Sequence, residues 1–117
     1  MHELSVAMSL LRACRAEIDR RGGGRLRAAR IAVGEFAGVD PSLLRYAWPP
    51  VLAQTDDEGA ALELEWEPAE QSCPSCGPVI ERQPGSWLRL CPTCGSPLSV
   101  SDASRLEIVR LDFPPVG

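Results

Sequence analysis

Four cysteines in two matched pairs are the residues of this chain best placed to do chemistry. Cys73-Pro-Ser-Cys76-Gly77 and Cys91-Pro-Thr-Cys94-Gly95 repeat one pattern, with fourteen residues between Cys76 and Cys91. In such a knuckle the turn directs both thiolates to one point, and the glycine that follows supplies a backbone conformation other residues resist. Two knuckles close a tetrahedron. Four thiolates without a histidine leave no open coordination position, so the pattern predicts structural Zn(II) rather than a catalytic metal. Iron is the rival ion for such knuckles, and a redox Cys-x-x-Cys pair fits less well because two pairs are present.

A second group lies at the start of the chain. His2 is the single histidine, and it stands between Met1 and Glu3. A histidine near a terminus is ordinarily a solvated residue. Here, however, an imidazole, a terminal amine, a backbone amide and a carboxylate fall within three residues. Nitrogen donors of this kind suit square-planar Ni(II) or Cu(II), whereas an all-thiolate tetrahedron suits zinc. Met1 is expected to be retained, because methionine is normally trimmed only before a small residue.

These groups need a scaffold to hold them, and the apolar pattern predicts one. Leu4, Ala7, Met8, Leu11, Cys14 and Ile18 recur at intervals of three and four, which is a helix stripe, and Gly22-Gly23-Gly24 ends that helix. Cys14 lies on the stripe and reads as a buried structural thiol. Arg27 to Val33 reads as a strand, with Ala29, Ile31 and Val33 on one face and Arg30 and Ala32 on the other. Asp40-Pro41 opens a second helix, with a carboxylate at the N-cap and proline in the first turn. Pro49-Pro50 should kink or split it, since two backbone donors are missing.

After the polar turn Asp56-Asp57-Glu58-Gly59, the residues Leu62, Leu64 and Trp66 alternate with Glu63, Glu65 and Glu67 as a half-buried strand. The glutamates read as a solvated acidic face balanced across the sheet by Arg30, Arg105 or Arg110. Leu106 to Phe113 is a third strand whose alternation changes phase near Ile108-Val109, which suggests a bulge or burial on both faces. Between the second and third strands, residues 68–102 are rich in proline and glycine and poor in aliphatics, the composition of an inserted module. Val79-Ile80 and residues 87–90 should supply its short strands. The architecture expected is therefore α+β, a small three-stranded sheet with two helices formed by residues 1–67 and 103–117, carrying an inserted zinc ribbon at 68–102.

Composition narrows the classes of function. The chain has 117 residues, enough for one core, and its hydrophobic content of 44% and charged content of 24% are those of a globular protein. No apolar run approaches a membrane span, and the first residues do not read as a secretion signal. Five cysteines without such a signal point to a reducing compartment, the cytoplasm. The net charge is −4, and there is no lysine among the twelve cations. That balance argues against a nucleic-acid surface, which rests on clustered Lys and Arg.

Met1-His2-Glu3-Leu4-Ser5 opening an amphipathic helix, Val33-Gly34-Glu35 and Gly38-Val39-Asp40 before a second helix, the paired Cys-Pro-x-Cys-Gly knuckles and a final Leu106-Glu107-Ile108 strand together resemble the HypA family. These are hydrogenase nickel incorporation proteins, and the resemblance covers essentially the whole chain. It implies a non-enzymatic nickel metallochaperone acting in maturation of NiFe hydrogenase, with a HypB-type GTPase and the hydrogenase large-subunit precursor as partners. It also implies the sites: nickel at His2, with the neighbouring Glu3 tied to nickel binding or partner contact and Asp40, which also reads as a helix cap, implicated less directly; zinc at Cys73, Cys76, Cys91 and Cys94. The terminal amine of Met1 joins the nickel donors on the chemistry above. Pro49-Pro50 departs from the family's more regular second helix. Neither nucleic acid nor membrane is expected as a partner, and a monomer or weak dimer is expected. The alternative is a regulatory or interaction zinc ribbon without nickel function.

Overall fold

A computed structural model describes residues 2–81 and 89–114. Helix α1 runs His2–Arg20, strand β1 Ala28–Gly34, helix α2 Pro41–Leu52 and strand β2 Ala61–Glu67. Three short strands follow, β3 Gln71–Cys73, β4 Gly77–Val79 and β5 Ser99–Val100, before β6 Leu106–Asp112. The strands form two sheets of order β2-β1-β6 and β4-β3-β5. This is the α+β arrangement expected, two helices on a small sheet beside a cysteine-bearing module.

In the first sheet β1 is central, parallel to β2 and antiparallel to β6. The parallel pair needs a crossover, and α2 provides it. Ala29, Ile31 and Val33 are fully buried, as their alternation requires, while Arg30 is exposed; Ala32 is buried as well. The core joins these residues and Leu26 to Ala7, Leu10, Cys14 and Ile18 of α1 and to Leu44, Ala47, Trp48 and Leu52 of α2. Each large aliphatic among them contributes roughly 1.5–3 kcal/mol by leaving water. Pairing of Arg30 with Arg110 and of Ile31 with Ile108 leaves Val109 as the extra residue. The change of phase in β6 is therefore a bulge.

Three expectations are corrected. In α1 the buried arc runs through Leu10, whereas Leu11 is half-buried and Met8 is 45% exposed. Leu10 and Leu11 are neighbours, and periodicity alone does not choose between them. Helix α2 is neither split nor ended by Pro49-Pro50 and continues to Leu52. Both prolines and Arg45 and Tyr46, the residues four positions earlier, are exposed, so the carbonyls that lose a partner lie where water reaches them. The inner face is held by Leu44, Ala47, Trp48 and Leu52, and Trp48 Nε1 donates to Ala60 O at 3.0 Å. Finally, Trp66 is 49% exposed, whereas Leu62 and Leu64 of the same strand pack against the core.

The acidic face is balanced much as charge complementarity suggests. Arg30 lies 3.6 Å from Glu63 and 3.5 Å from Glu65, and Arg105 lies 2.9 Å from Glu67 and 3.2 Å from Glu107. Asp57 behaves differently from its polar-turn setting. It is buried, and its Oδ1 accepts from Arg15 Nη1 at 3.1 Å and from Leu26 N at 2.9 Å. Arg15 also donates to Gly24 O at 2.8 Å and to Asp19 at 2.6 Å. One carboxylate thus ties the end of α1, the glycine turn and the loop before β2.

Removing that carboxylate should strand the buried Leu26 amide and take from Arg15 one of its three partners. Asp57→Ala is expected to lose about 2–3 kcal/mol, read as a lower guanidinium midpoint at unchanged slope, with Asp57→Asn losing less because it still accepts from Leu26. Cys14 lies in the same core, and burial, reinforced by the Asp57 charge, pushes its thiol up from 9.0 to about 11. The folded state favours the neutral thiol, so this contribution is whole below pH 9 and is lost as pH rises toward 11. Stability should decline over that interval, and Cys14→Ala should flatten the decline.

Candidate metal centres

The two knuckles are built by different local means. The first is a tight turn between β3 and β4, with Cys73 paired to Gly77 and Gly77 at φ +93°. The second is closed by its own backbone, Cys91 N donating to Ser96 O at 2.8 Å and Gly95 N to Cys91 O at 2.8 Å, with Gly95 at φ +76°. Both glycines take the left-handed conformation that a Cβ makes costly, the role their position after Cys-x-x-Cys suggests. Leu90 bridges to Pro97, and Val79 and Leu98 supply the little apolar packing beneath.

The strand assignments within the module differ from expectation. Val79 closes β4 but Ile80 lies outside it and is 86% exposed; β5 at Ser99–Val100 pairs with β3, and of the segment expected at 87–90 Leu90 makes an isolated bridge. Trp87 and Leu88 lie outside the described residues. Strands of two or three residues have too little alternation to be read from sequence.

The four sulfurs converge, all within 4.8 Å of one another, and Cys73 Sγ lies 3.6 Å from Cys94 Sγ. A tetrahedral zinc ion with Zn–S bonds of about 2.3 Å needs S–S edges of about 3.8 Å, so the donor set fits such an ion with small adjustment. Cys73 and Cys91 are buried, Cys76 and Cys94 exposed. The local dipoles already favour thiolate at two positions. Hydrogen bonds from the Ser96 hydroxyl and backbone bring Cys94 down to about 6, and the amides of Cys94 and Thr93 lower Cys91. Cys76, hydrogen-bonded to the sulfurs of Cys94, Cys73 and Cys91, is pushed up to about 12. Four thiolates at this spacing need a cation to ionise together.

At the start of the chain, His2 opens α1 with its side chain 62% exposed. Its Nδ1 lies 3.4 Å from Glu3 Oε2, and the same oxygen accepts from the backbone amide of Asp40 at 3.3 Å. That amide is the first cause holding the Glu3 carboxyl below its usual range. The fold therefore brings His2, Glu3 and Asp40 together, although 37 residues separate the last two. Asp40 takes part through its peptide N–H. Its carboxylate caps α2, accepting from Ser42 N at 2.9 Å and Leu43 N at 3.3 Å. Met1 lies outside the described residues. Among the described residues, the cysteine cluster is where three or more Cys, His, Asp or Glu ligand atoms converge.

Sequence reasoning passed over Glu35, Gln71 and Arg89, which link the two sheets. Their partners lie 18 and 54 residues from Arg89, and no local pattern marks them.

Comparison with known proteins agrees with this arrangement. Residues 1–113 match the family described as "Hydrogenase/urease nickel incorporation, metallochaperone, hypA". A hydrogenase maturation factor HypA from Chlorobium limicola is 36% identical over 77 residues, 66% of this chain and 66% of that protein. A hydrogenase maturation factor HypA from Methanopyrus kandleri is 38% identical over 77 residues, 66% of this chain and 54% of that protein. The chain thus aligns with just under two thirds of the first relative and about half of the second. In fold, it superposes on the solution structure of the Ni metallochaperone HypA from Helicobacter pylori with a TM-score of 0.64 and 19% identity, covering 97% of this chain and 98% of the other.

If the cysteine cluster holds metal, Cys76→Ser is the informative substitution, since Cys76 is exposed and its loss disturbs little packing. One ligand of four carries about a quarter of the 10–16 kcal/mol typical of structural zinc, so affinity should fall by about 100-fold or more. Competition with a chromophoric chelator measures it, and the circular dichroism of the helices should be unchanged.

Proposed function

The chain belongs to the HypA family of nickel incorporation proteins, and from that premise we propose that it binds Ni(II) at its N-terminal end and hands the ion on during maturation of NiFe hydrogenase. Residues 1–67 and 103–117 form the nickel-binding domain and residues 68–102 the zinc ribbon. The observation that carries the reading is the meeting of His2 and Glu3 with the Asp40 amide, remote in sequence from the four cysteines. The cargo site and the structural site use different donors.

Each residue has a part in this scheme. His2 supplies an imidazole nitrogen; with Nδ1 turned toward Glu3, Nε2 is the ring atom left for the ion. Glu3, kept anionic by the Asp40 amide, orients that ring and supplies negative charge. The terminal amine of Met1 is the further nitrogen donor. Asp40 acts through its backbone and as the cap of α2, with a direct contact of its carboxylate to nickel the weaker part of the proposal. Cys73, Cys76, Cys91 and Cys94 hold Zn(II), which supplies folding energy to a module with almost no core.

No reaction is catalysed; the work is binding and transfer. An exposed site of few residues can give up its ion, whereas a closed thiolate tetrahedron does not. The partners that complete the scheme are a HypB-type GTPase and the hydrogenase large-subunit precursor, in the cytoplasm. Among the described residues, no helix is long and apolar enough to cross a membrane.

The test is nickel calorimetry on protein with its native terminus. His2→Ala should abolish tight binding while zinc content and helicity stay unchanged, and an N-terminal extension should weaken binding by masking the amine. Nickel affinity equal to wild type in His2→Ala would overturn the assignment.

A further inference from the structure

Arg89 stands two residues before Cys91, on the arm of the second knuckle, where its own carbonyl accepts from Leu98 N at 2.9 Å. Its side chain reaches out of the cysteine module while keeping one contact within it. One guanidinium nitrogen, Nη2, pairs with Glu35 in the turn after β1; the other, Nη1, donates to Gln71 Oε1 at 2.8 Å. The guanidinium carbon sits over the Phe36 ring, 5.1 Å from its centroid. Glu35 in turn accepts through Oε1 from Ala69 N at 2.9 Å, on the segment leading into the module. Gln71 donates to Val79 O at 3.3 Å and Glu81 O at 3.0 Å, inside it.

Burial gives these contacts weight. Arg89 and Glu35 are 19% and 20% exposed and Gln71 is 6% exposed, so the pair is far better shielded than an ordinary surface ion pair. The geometry is also specific to arginine. A planar fork reaches two acceptors while stacking on a ring, which a single ammonium does not.

We propose that Arg89 is the positioning residue that seats the cysteine module on the end of the mixed sheet, and that closing the cysteine site and seating the module are one event. Arg89 reaches Glu35 and Phe36 only while its backbone is held in the hairpin of the second knuckle, and metal at the four sulfurs holds that hairpin. Loading the thiolates thereby fixes the direction in which the module projects from the helical domain. A partner then meets both parts as one surface. The second clause rests on the zinc reading; the seating by Arg89 does not.

The experiment uses the full chain loaded with Co(II), whose thiolate charge-transfer bands report the tetrahedral site directly. Zinc-loaded samples give backbone 15N relaxation for the two parts and hydrogen exchange at the Ala69 amide. Wild type should show one rotational correlation time for both parts. Arg89→Ala should keep the cobalt bands yet show faster tumbling of the module, with Ala69 exchange about tenfold faster. Arg89→Lys should behave like Arg89→Ala. Glu35→Gln, which lies outside the module, should reproduce the effect, and the double variant should add nothing to either single one.

A common correlation time and unchanged Ala69 protection in Arg89→Ala would overturn the proposal. If Arg89→Ala loses the cobalt bands, Glu35→Gln reads the same coupling with the module intact, and wild-type tumbling there overturns it equally. Absence of cobalt bands in wild type would remove the zinc reading alone, leaving the relaxation comparison to decide the role of Arg89.

Discussion

At Gly34 the backbone of β1 runs so close to that of Ala103 that a Cβ would stand 2.2 Å from the Ala103 carbonyl oxygen, and the layout of the molecule depends on this crowding. Gly34 N donates to Arg105 O at 2.7 Å, Phe36 N to Ala103 O at 2.7 Å and Glu35 N to Glu67 O at 2.9 Å. The stretch that enters the cysteine module and the stretch that leaves it are thus both clamped at the exit of β1. Only a residue without a side chain permits it. The chain can therefore leave the first sheet after β2 and re-enter it at β6 with both strands held in register with the one between them.

That arrangement separates two kinds of stability. The helical domain rests on apolar burial, with Ile18, Leu26, Ile31, Leu44 and Leu52 almost wholly removed from water. Among the described residues, the cysteine module has as its core two cysteines and Val79, with Leu98 alongside, little to fold by burial. The four converging sulfurs are the donor set that a cation could use to order it. Between them lies the polar cluster of Glu35, Gln71 and Arg89, which couples the two without merging their cores. The three residues are satisfied by one another and by backbone, as a shielded polar cluster must be.

Much of this was legible in the sequence wherever the signal is local. Cys-x-x-Cys-Gly carries its turn within five residues, Asp40-Pro41 carries its cap within four, and the phase change at Ile108-Val109 marked the bulge in β6. Illegible were choices settled by distant partners. Leu10 is buried while Leu11 only packs against the edge of the core, and Trp66 is 49% exposed while Leu62 and Leu64 of the same strand pack inward. Pro49-Pro50 looked like a break by local rules, yet Trp48 and Leu52 anchor the helix through it. Asp57 read as turn polarity and is instead a buried acceptor for groups 31 and 42 residues away. The four cysteines that the fold gathers could be named in advance, but the arginine that joins their module to the sheet could not.

Helix α1 begins at His2 itself. The first turn of a helix gathers unpaired peptide N–H groups and the positive end of the aligned peptide dipoles, equivalent to about half an elementary charge. A cation carried there is opposed by the scaffold that displays it, and Glu3 in that same turn offsets the opposition only in part. On the proposal that nickel is carried at this terminus, its surrender would follow from the direction of the helix: a donor set of modest size, set against an unfavourable field, would hold its charge loosely.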